Sequence, residues 1–490
     1  MEKQEPSLKE KTAKGLFWGG MSNGVQQVLS LFFGLFLARL LSPGEYGMVG
    51  MLAIFTAIAS TLCDSGLAVS LINKKEIRFE DLNAVFWFSM TVATICYLAL
   101  FIGAPLIAKF YHQPALISLS RWSFLSFVIA SLGIAPSANL SKKLKVKEKS
   151  IAEITALGLS GILGVYLAYK GHSYWSIVIQ TIVFVAIKSG LYWFFDDWKP
   201  SFHIDFSPVK EMLYFSIKLV ITSLAIIFNT YIFSVIFGRL YSEKEVGYYN
   251  QANKWNTMGS SMVTGMIHSV AQPVLVESRG DDVRQLRVFR KMVRFTSFLS
   301  FPLMFGLSFV APEFITIAIT DKWLPSANIL RILAISGAFA PLGSLFTYLI
   351  LSRNDSSSYM WANLALIAVL LITVAFIHPY GIMGMIIAYS IINILWLGVW
   401  FVLVRRKIGY TFGQLIRDVA PYLGITSLII VGVYFLTAGI DNIYISITVK
   451  ILAVAVAYII IMWLSRSVTF RESAQYILQK LNIKSKKETI

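Results

Sequence analysis

Fourteen apolar runs, each about as long as a bilayer is thick, account for most of this chain. A hydrocarbon core about 30 Å thick takes roughly 20 residues of helix. Runs of that length lie at 16–40, 46–72, 84–108, 122–140, 151–169, 174–195, 212–237, 247–276, 295–319, 332–351, 359–377, 381–404, 415–436 and 443–464. Composition agrees: the 490 residues are 56% hydrophobic and 14% charged, with a mean hydropathy of +0.67, far more apolar than a soluble core needs. The expected fold is an all-α polytopic membrane protein of about 14 transmembrane helices. The first run follows a charged start and is too long for a signal-peptide core, so it reads as the first span. Cys63 and Cys96 both lie in apolar runs, where two thiols build neither a disulfide framework nor a metal cluster.

Positive charge is retained on the cytoplasmic side. With the N-terminus inside, most of the 43 Lys and Arg fall in the tails and the even-numbered connections. The outer connections hold only scattered ones, such as Arg39, Lys109, Lys170 and Arg239. Both termini are therefore expected in the cytoplasm. The net charge of +17 follows largely from this asymmetry, including the run SKKLKVKEKS at 141–150 and the arginines between Arg279 and Arg294. These groups are expected to meet anionic lipid of the inner leaflet, not nucleic acid.

One phrase occurs twice. RLLSPGEYG at 39–47 and RLYSEKEVG at 239–247 align without a gap, sharing Arg, Leu, Ser, Glu and Gly. Each lies at the outer face, between spans one and two and between spans seven and eight. Ser42 with Glu45, and Ser242 with Glu245, both fit a capping box. Pro43 takes the first helical position, where its missing N–H costs nothing, and Arg39 and Arg239 suit the ends of the preceding helices. Six spans separate the copies, an even number, so the halves enter the membrane in the same direction as parallel repeats. The expected architecture is two six-helix lobes around a central cleft, residues 1–205 and 206–406. Two further helices and a basic cytoplasmic tail, 407–490, complete it.

The eighth run is too polar to face lipid all round: GYYNQANKWNTMGSSMVTGMIHSVAQP. Asn250, Asn253, Lys254, Thr257, Ser261, Thr264, His268 and Gln272 recur at steps of three and four, which makes one stripe on a helix. Such a face lines a wet cleft or forms an interhelical hydrogen-bond seam; the presence of both a Lys and a His favours the cleft. Partners are expected from span one (Asn23, Gln26, Gln27, Ser30) and span seven (Lys218, Thr222, Asn229). Asp64, deep in span two, needs a partner or a proton. It is either a proton or cation coupling site or a helix-end salt bridge to the loop beginning at Lys74. Of the other intramembrane lysines, Lys450 reads as a snorkelling anchor, and Lys188 stands nearly alone.

The segments FLARLLSPGEYGMVGM and DSGLAVSLINKKEI, set in this span pattern, resemble the polysaccharide-transporter (Wzx-type) flippases. Within the multidrug, oligosaccharidyl-lipid and polysaccharide exporter superfamily, the similarity is to the lipopolysaccharide or colanic-acid exporter branch. The resemblance implies movement of an undecaprenyl-pyrophosphate-linked oligosaccharide from the inner to the outer leaflet of the bacterial cytoplasmic membrane. Other polysaccharide-assembly membrane proteins are expected partners, and no cofactor beyond a coupling H⁺ or Na⁺ is expected. A pyrophosphate head calls for cations and a glycan for amide and hydroxyl partners, which Lys254, Lys218 and His268 provide among Asn, Gln, Ser and Thr. Three alternatives stand beside this reading, of which a non-transporting membrane scaffold would not need a polar stripe through a helix. A multidrug exporter of the same superfamily would lean on acidic and aromatic groups. A lipid-linked glycan transferase would need a sizeable loop with acid and base residues, and the inner connections 196–211 and 277–294 show no such grouping. No nucleotide-binding loop of the G-x-x-x-x-G-K-[ST] type is present.

Overall fold

The computed structural model describes residues 8–472 and 475, with side chains described except at 8–17, 211, 214–216, 218, 219 and 269. Nineteen α-helices and two single 3₁₀ turns carry the described chain, without strands. Contacts divide it into two compact units, Met1–Asn250 and Gln251–Ile490. The first holds α1 (Leu8–Leu40), α2 (Pro43–Asp64), α3 (Leu67–Asn73), α4 (Phe79–Tyr111), α5 (Leu116–Ser123), α6 (Leu125–Ser131), α7 (Ile134–Lys142), α8 (Val146–Tyr169), α9 (Trp175–Phe195) and α10 (Ser207–Leu240). It also takes the opening turns of α11 (Glu243–Glu277). The second holds the rest of α11 with α12 (Asp282–Phe309), α13 (Ala311–Ile319), α14 (Leu324–Gly337), α15 (Ala340–Ser352), α16 (Ser356–Ile377), α17 (Gly381–Ile408), α18 (Phe412–Thr437) and α19 (Ile443–Leu464).

Among the described residues, twelve stretches are long and apolar enough to cross a membrane. The expected fourteen differ from these at two places. Ser356–Ile408 counts as one stretch but is divided by the 3₁₀ turn His378–Tyr380, and α11 is too polar to be counted. Several expected continuous spans are broken. The run at 122–140 falls on α5, α6 and α7; beside the breaks Ser126 Oγ donates to the Ser123 carbonyl at 2.6 Å and Ser131 Oγ to that of Val128 at 2.7 Å. The run at 46–72 breaks after Asp64, where Ser65 and Gly66 both adopt left-handed backbone at φ 47° and 67°. The run at 295–319 breaks before Pro312, and that at 332–351 before Pro341, where Ser300 Oγ donates to the freed Ala338 carbonyl at 2.7 Å.

The duplicated phrase is placed by these elements. In the first copy the capping box forms as expected: the Ser42 amide donates to Glu45 at 2.5 Å and the Glu45 amide to Ser42 Oγ at 3.4 Å. In the second, among the described residues, no such pair of bonds is found, and the Ser242 carbonyl accepts from the Val246 amide at 3.2 Å. There Glu243, which replaces Pro43, instead accepts from Gln113 at 2.8 Å. Arg239 donates to the Phe110 carbonyl at 2.6 Å and lies 3.0 Å from His112, so it caps the end of α4 as well as its own helix.

The starts of α2 and α11 press together inside the first unit. A Cβ on Gly47 would lie 1.6 Å from the Glu243 carbonyl oxygen, and one on Gly247 would lie 1.9 Å from that of Pro43. Only glycine allows this approach. The shared terminal Gly of the phrase is thus a backbone-to-backbone crossing, and it draws α10 and the first turns of α11 into the first unit. Gly47→Ala should lower stability by about 1–3 kcal/mol through overpacking, read as a lower unfolding temperature in detergent. Gly44→Ala, whose Cβ would meet Glu243 at an ordinary 3.4 Å, should unfold like the parent.

Candidate functional site

The polar helix α11 is held to the second unit by one side. Val263, Ile267 and Ala271 are buried, Trp255 meets the Phe314 ring edge-on at 4.8 Å, and Gly259 lies against Met304. Asn256 needs the missing side chain of Gly337 to fit. The predicted stripe lies outside this packed side: Thr257, Ser261, His268 and Gln272 are exposed, and Asn253, Lys254 and Thr264 are half-buried. Its hydroxyls bond their own helix, Ser261 to the Met258 carbonyl at 3.0 Å and Thr264 to that of Ser260 at 3.0 Å. Among the described residues none of Thr257, Ser261 and Thr264 bonds a neighbouring helix, as a seam would require. Lys254 has no ion-pair partner among the described residues. His268 sets its ring edge-on against Tyr348 of α15 at 5.5 Å. The open sector is wider than the stripe, since Met262 and Met266 are 58% and 57% exposed.

The other expected site residues divide. Asn250 belongs to the glycine crossing: Ser234 donates to its Oδ1 at 2.6 Å, and its amide occupies the space that a side chain at Gly50 would fill. Asn23, Gln27 and Ser30 share an exposed face of α1. Gln26 turns the other way, donating to Ser22 at 2.9 Å and to Glu153 at 3.0 Å. On α10, Asn229 keeps a buried Oδ1 without a hydrogen-bond partner among the described residues. Lys218 lies on α10, but its side chain is outside the described residues.

Asp64 does not make the expected salt bridge to the loop. Lys74 pairs instead with Asp81 at 2.7 Å, and Asp64 accepts from the Ala68 amide at 3.4 Å across the α2–α3 break. Its carboxylate borders two cavities of the first unit, of about 340 and 370 Å³. The former is also lined by Lys149, Glu153, Lys188 and Tyr192, so Lys188 is not isolated. Tyr192 donates to Glu153 at 2.8 Å. This cluster was missed in the sequence, although a lone carboxylate inside the apolar run at 151–169 was its signal.

Lys450 is not a snorkelling anchor. It forms an ion pair with Glu313 of α13, which also accepts from Ser446 at 3.2 Å, and its ammonium lies 4.9 Å from the Phe309 ring centre. Both charged side chains are 14% exposed. The expected α19 anchor is thus a paired charge.

Comparison with known proteins assigns the family. The sequence profile described as "Polysaccharide biosynthesis protein" matches residues 36–328. The chain belongs to this family. Among relatives, the lipopolysaccharide biosynthesis protein WzxC of Escherichia coli (strain K12) is 25% identical over 71% of this chain and 71% of its own length. The teichuronic acid biosynthesis protein TuaB of Bacillus subtilis (strain 168) is 23% identical over 79% and 81%. Among solved structures, the lipid II flippase MurJ in an inward closed conformation superposes with a TM-score of 0.73, at 16% identity, over 93% of this chain and 99% of that one. A multidrug resistance MATE family transporter of the MOP superfamily follows the same fold with a TM-score of 0.63, at 15% identity, over 78% and 94%. The fold is therefore the one seen in these two solved transporters.

The Lys450 pair has a measurable consequence. Lys450→Met strands Glu313 in a low-dielectric site and should cost about 3 kcal/mol or more, seen as a lowered unfolding temperature. The double variant Lys450→Met/Glu313→Gln should recover most of that loss.

Proposed function

We propose that this polysaccharide transporter is a flippase that carries a lipid-linked, anionic oligosaccharide from the inner to the outer leaflet of the bacterial cytoplasmic membrane. Both termini stay on the cytoplasmic side. The observation that carries the reading is the polar side of α11. It is a long helix in a membrane chain whose amides, hydroxyls, Lys254 and His268 stay off the packed side and leave hydrogen-bonding capacity for a ligand. The names of WzxC and TuaB, biosynthesis proteins of lipopolysaccharide and teichuronic acid, support a glycan cargo.

Lys254 attracts the phosphate head. Lys218 and His268 assist it, and Asn253, Thr257 and Ser261 serve the sugar hydroxyls, with Asn229 on α10 and Asn23 and Gln27 on α1. The lipid chain stays in hydrocarbon while the head crosses by alternating access. Asp64 couples the step to a proton or sodium gradient, since it borders cavities and forms no ion pair among the described residues. Asn250 supports the site by holding α11 against α2 and α10.

A charged hydrogen bond is worth about 1.5–3 kcal/mol. Lys254→Ala should therefore weaken transport of lipid-linked oligosaccharide in proteoliposomes by about ten- to a hundredfold, with the unfolding temperature unchanged and Lys254→Arg partly active. Normal transport by Lys254→Ala would remove this residue from the site. Asp64→Asn should abolish the dependence of transport on an imposed ion gradient; unchanged dependence would refute the coupling role. In a background lacking Cys63 and Cys96, cysteines at Thr257, Ser261 and Thr264 should react with a water-soluble thiol reagent, because thiolates form only where water reaches. Substrate should slow that reaction. Protection of all three in active protein would move the path elsewhere.

A further inference from the structure

The second unit holds a groove for which the transport reading has no use. Met266, Val270 and Val274 of α11 form one wall and Val288, Met292 and Phe295 of α12 the other, and the groove encloses about 380 Å³. Val468 and Thr469, beyond α19, close one end. Spacing on α11 puts this wall on the far side of the helix from His268 and Thr264. Apolar walls offer nothing to a glycan, so the groove suits a hydrocarbon chain.

The rim is basic. Arg284, Arg287, Lys291 and Arg294 recur at steps of three and four and share one side of α12. Among the described residues, carboxylates do not balance them. Lys291 pairs with Glu472 at 2.7 Å and Arg284 with Glu277 at 3.7 Å, but Asp418, 3.8 Å from Arg294, is already held by Arg290 at 2.8 and 3.0 Å. Arg287 has no carboxylate partner among the described residues. Within the groove, Thr296 is fully buried and its hydroxyl has no hydrogen-bond partner there. Buried hydroxyls are nearly always bonded, so one left over points to a group that belongs beside it. Thr296 sits two residues past Arg294, about 3 Å further along the helix.

We propose that this groove is the binding site of a resident anionic glycerophospholipid. One acyl chain lies between α11 and α12, the phosphate meets Arg287, Lys291 and Arg294, and the Thr296 hydroxyl donates to an ester carbonyl just below. The basic cluster between Arg279 and Arg294, conspicuous in the sequence, then serves a lipid that stays rather than the cargo that moves.

The test uses the purified full-length chain in mild detergent, with palmitoyl-oleoyl phosphatidylglycerol or the corresponding phosphatidylcholine added and retained lipid counted by native mass spectrometry. Phosphatidylglycerol should be retained at least about tenfold better than phosphatidylcholine. Arg287→Gln/Lys291→Gln should lose about tenfold of that retention, Thr296→Val a smaller part, and Val270→Trp should block the groove from an exposed position. Equal retention of the two lipids, or undiminished phosphatidylglycerol binding in the charge variant and in Val270→Trp, would overturn the site. Displacement of phosphatidylglycerol by equimolar undecaprenyl phosphate would also overturn it, by giving the groove to a polyprenyl chain.

Discussion

Two helix starts touch backbone to backbone at Gly47 and Gly247, and much of the first unit depends on that contact. No side chain fits between them, so the axes of α2 and α11 are fixed at this crossing more closely than ordinary packing would fix them. Asn250 lies one turn further along α11, locked to Ser234 and to the space above Gly50. Arg239 and Glu243 tie the same corner to the end of α4 through Phe110, His112 and Gln113. The repeated phrase therefore does more than end one helix and begin the next. It supplies the two matching surfaces of the crossing.

A second constraint explains which polar groups are partnered. In hydrocarbon an unpaired polar group is costly, and several intramembrane charges here are answered, Lys450 by Glu313 and Glu153 by Gln26 and Tyr192, while Asp64 forms no ion pair among the described residues. The sharing of Asp418 by Arg290 and Arg294 ties α18 to α12 in the same manner. Against this background the stripe on α11 is an exception. Its hydroxyls use only their own backbone and Lys254 has no carboxylate among the described residues, which is what a face kept for a ligand requires. Groups satisfied by protein hold the helices together, whereas the groups left over are those that the proposed path would use.

What the sequence made legible followed from local rules. Hydropathy located the membrane helices, and steps of three and four located the stripe from Asn253 to Gln272. The S-P-G-E turn predicted its own capping box. Pairings between distant segments were hidden. Nothing in the region around Lys450 names Glu313, more than a hundred residues earlier, so the lysine read as an anchor. Gln26 and Asn250 sat at the right spacing for the site yet turn to Glu153 and Ser234, because periodicity gives a direction and not a neighbour. The breaks after Asp64, Ser123 and Ser131 were hidden for a different reason: the residues there do not lower hydropathy enough to interrupt a run. The second capping box was legible, yet no such pair of bonds is found among the described residues, where Glu243 in place of Pro43 bonds Gln113.

The account turns on whether this chain by itself moves a lipid-linked glycan between leaflets. The direct measurement is reconstitution of the purified protein into liposomes carrying a lipid-linked oligosaccharide in both leaflets, with an impermeant glycosidase outside. The account predicts that the fraction of glycan digested rises from the outer-leaflet share toward completion when active protein and an ion gradient are present, while the glycan stays attached to its lipid until cleaved. Digestion that halts at the outer-leaflet share under every imposed gradient, with correctly folded protein in the membrane, would contradict it.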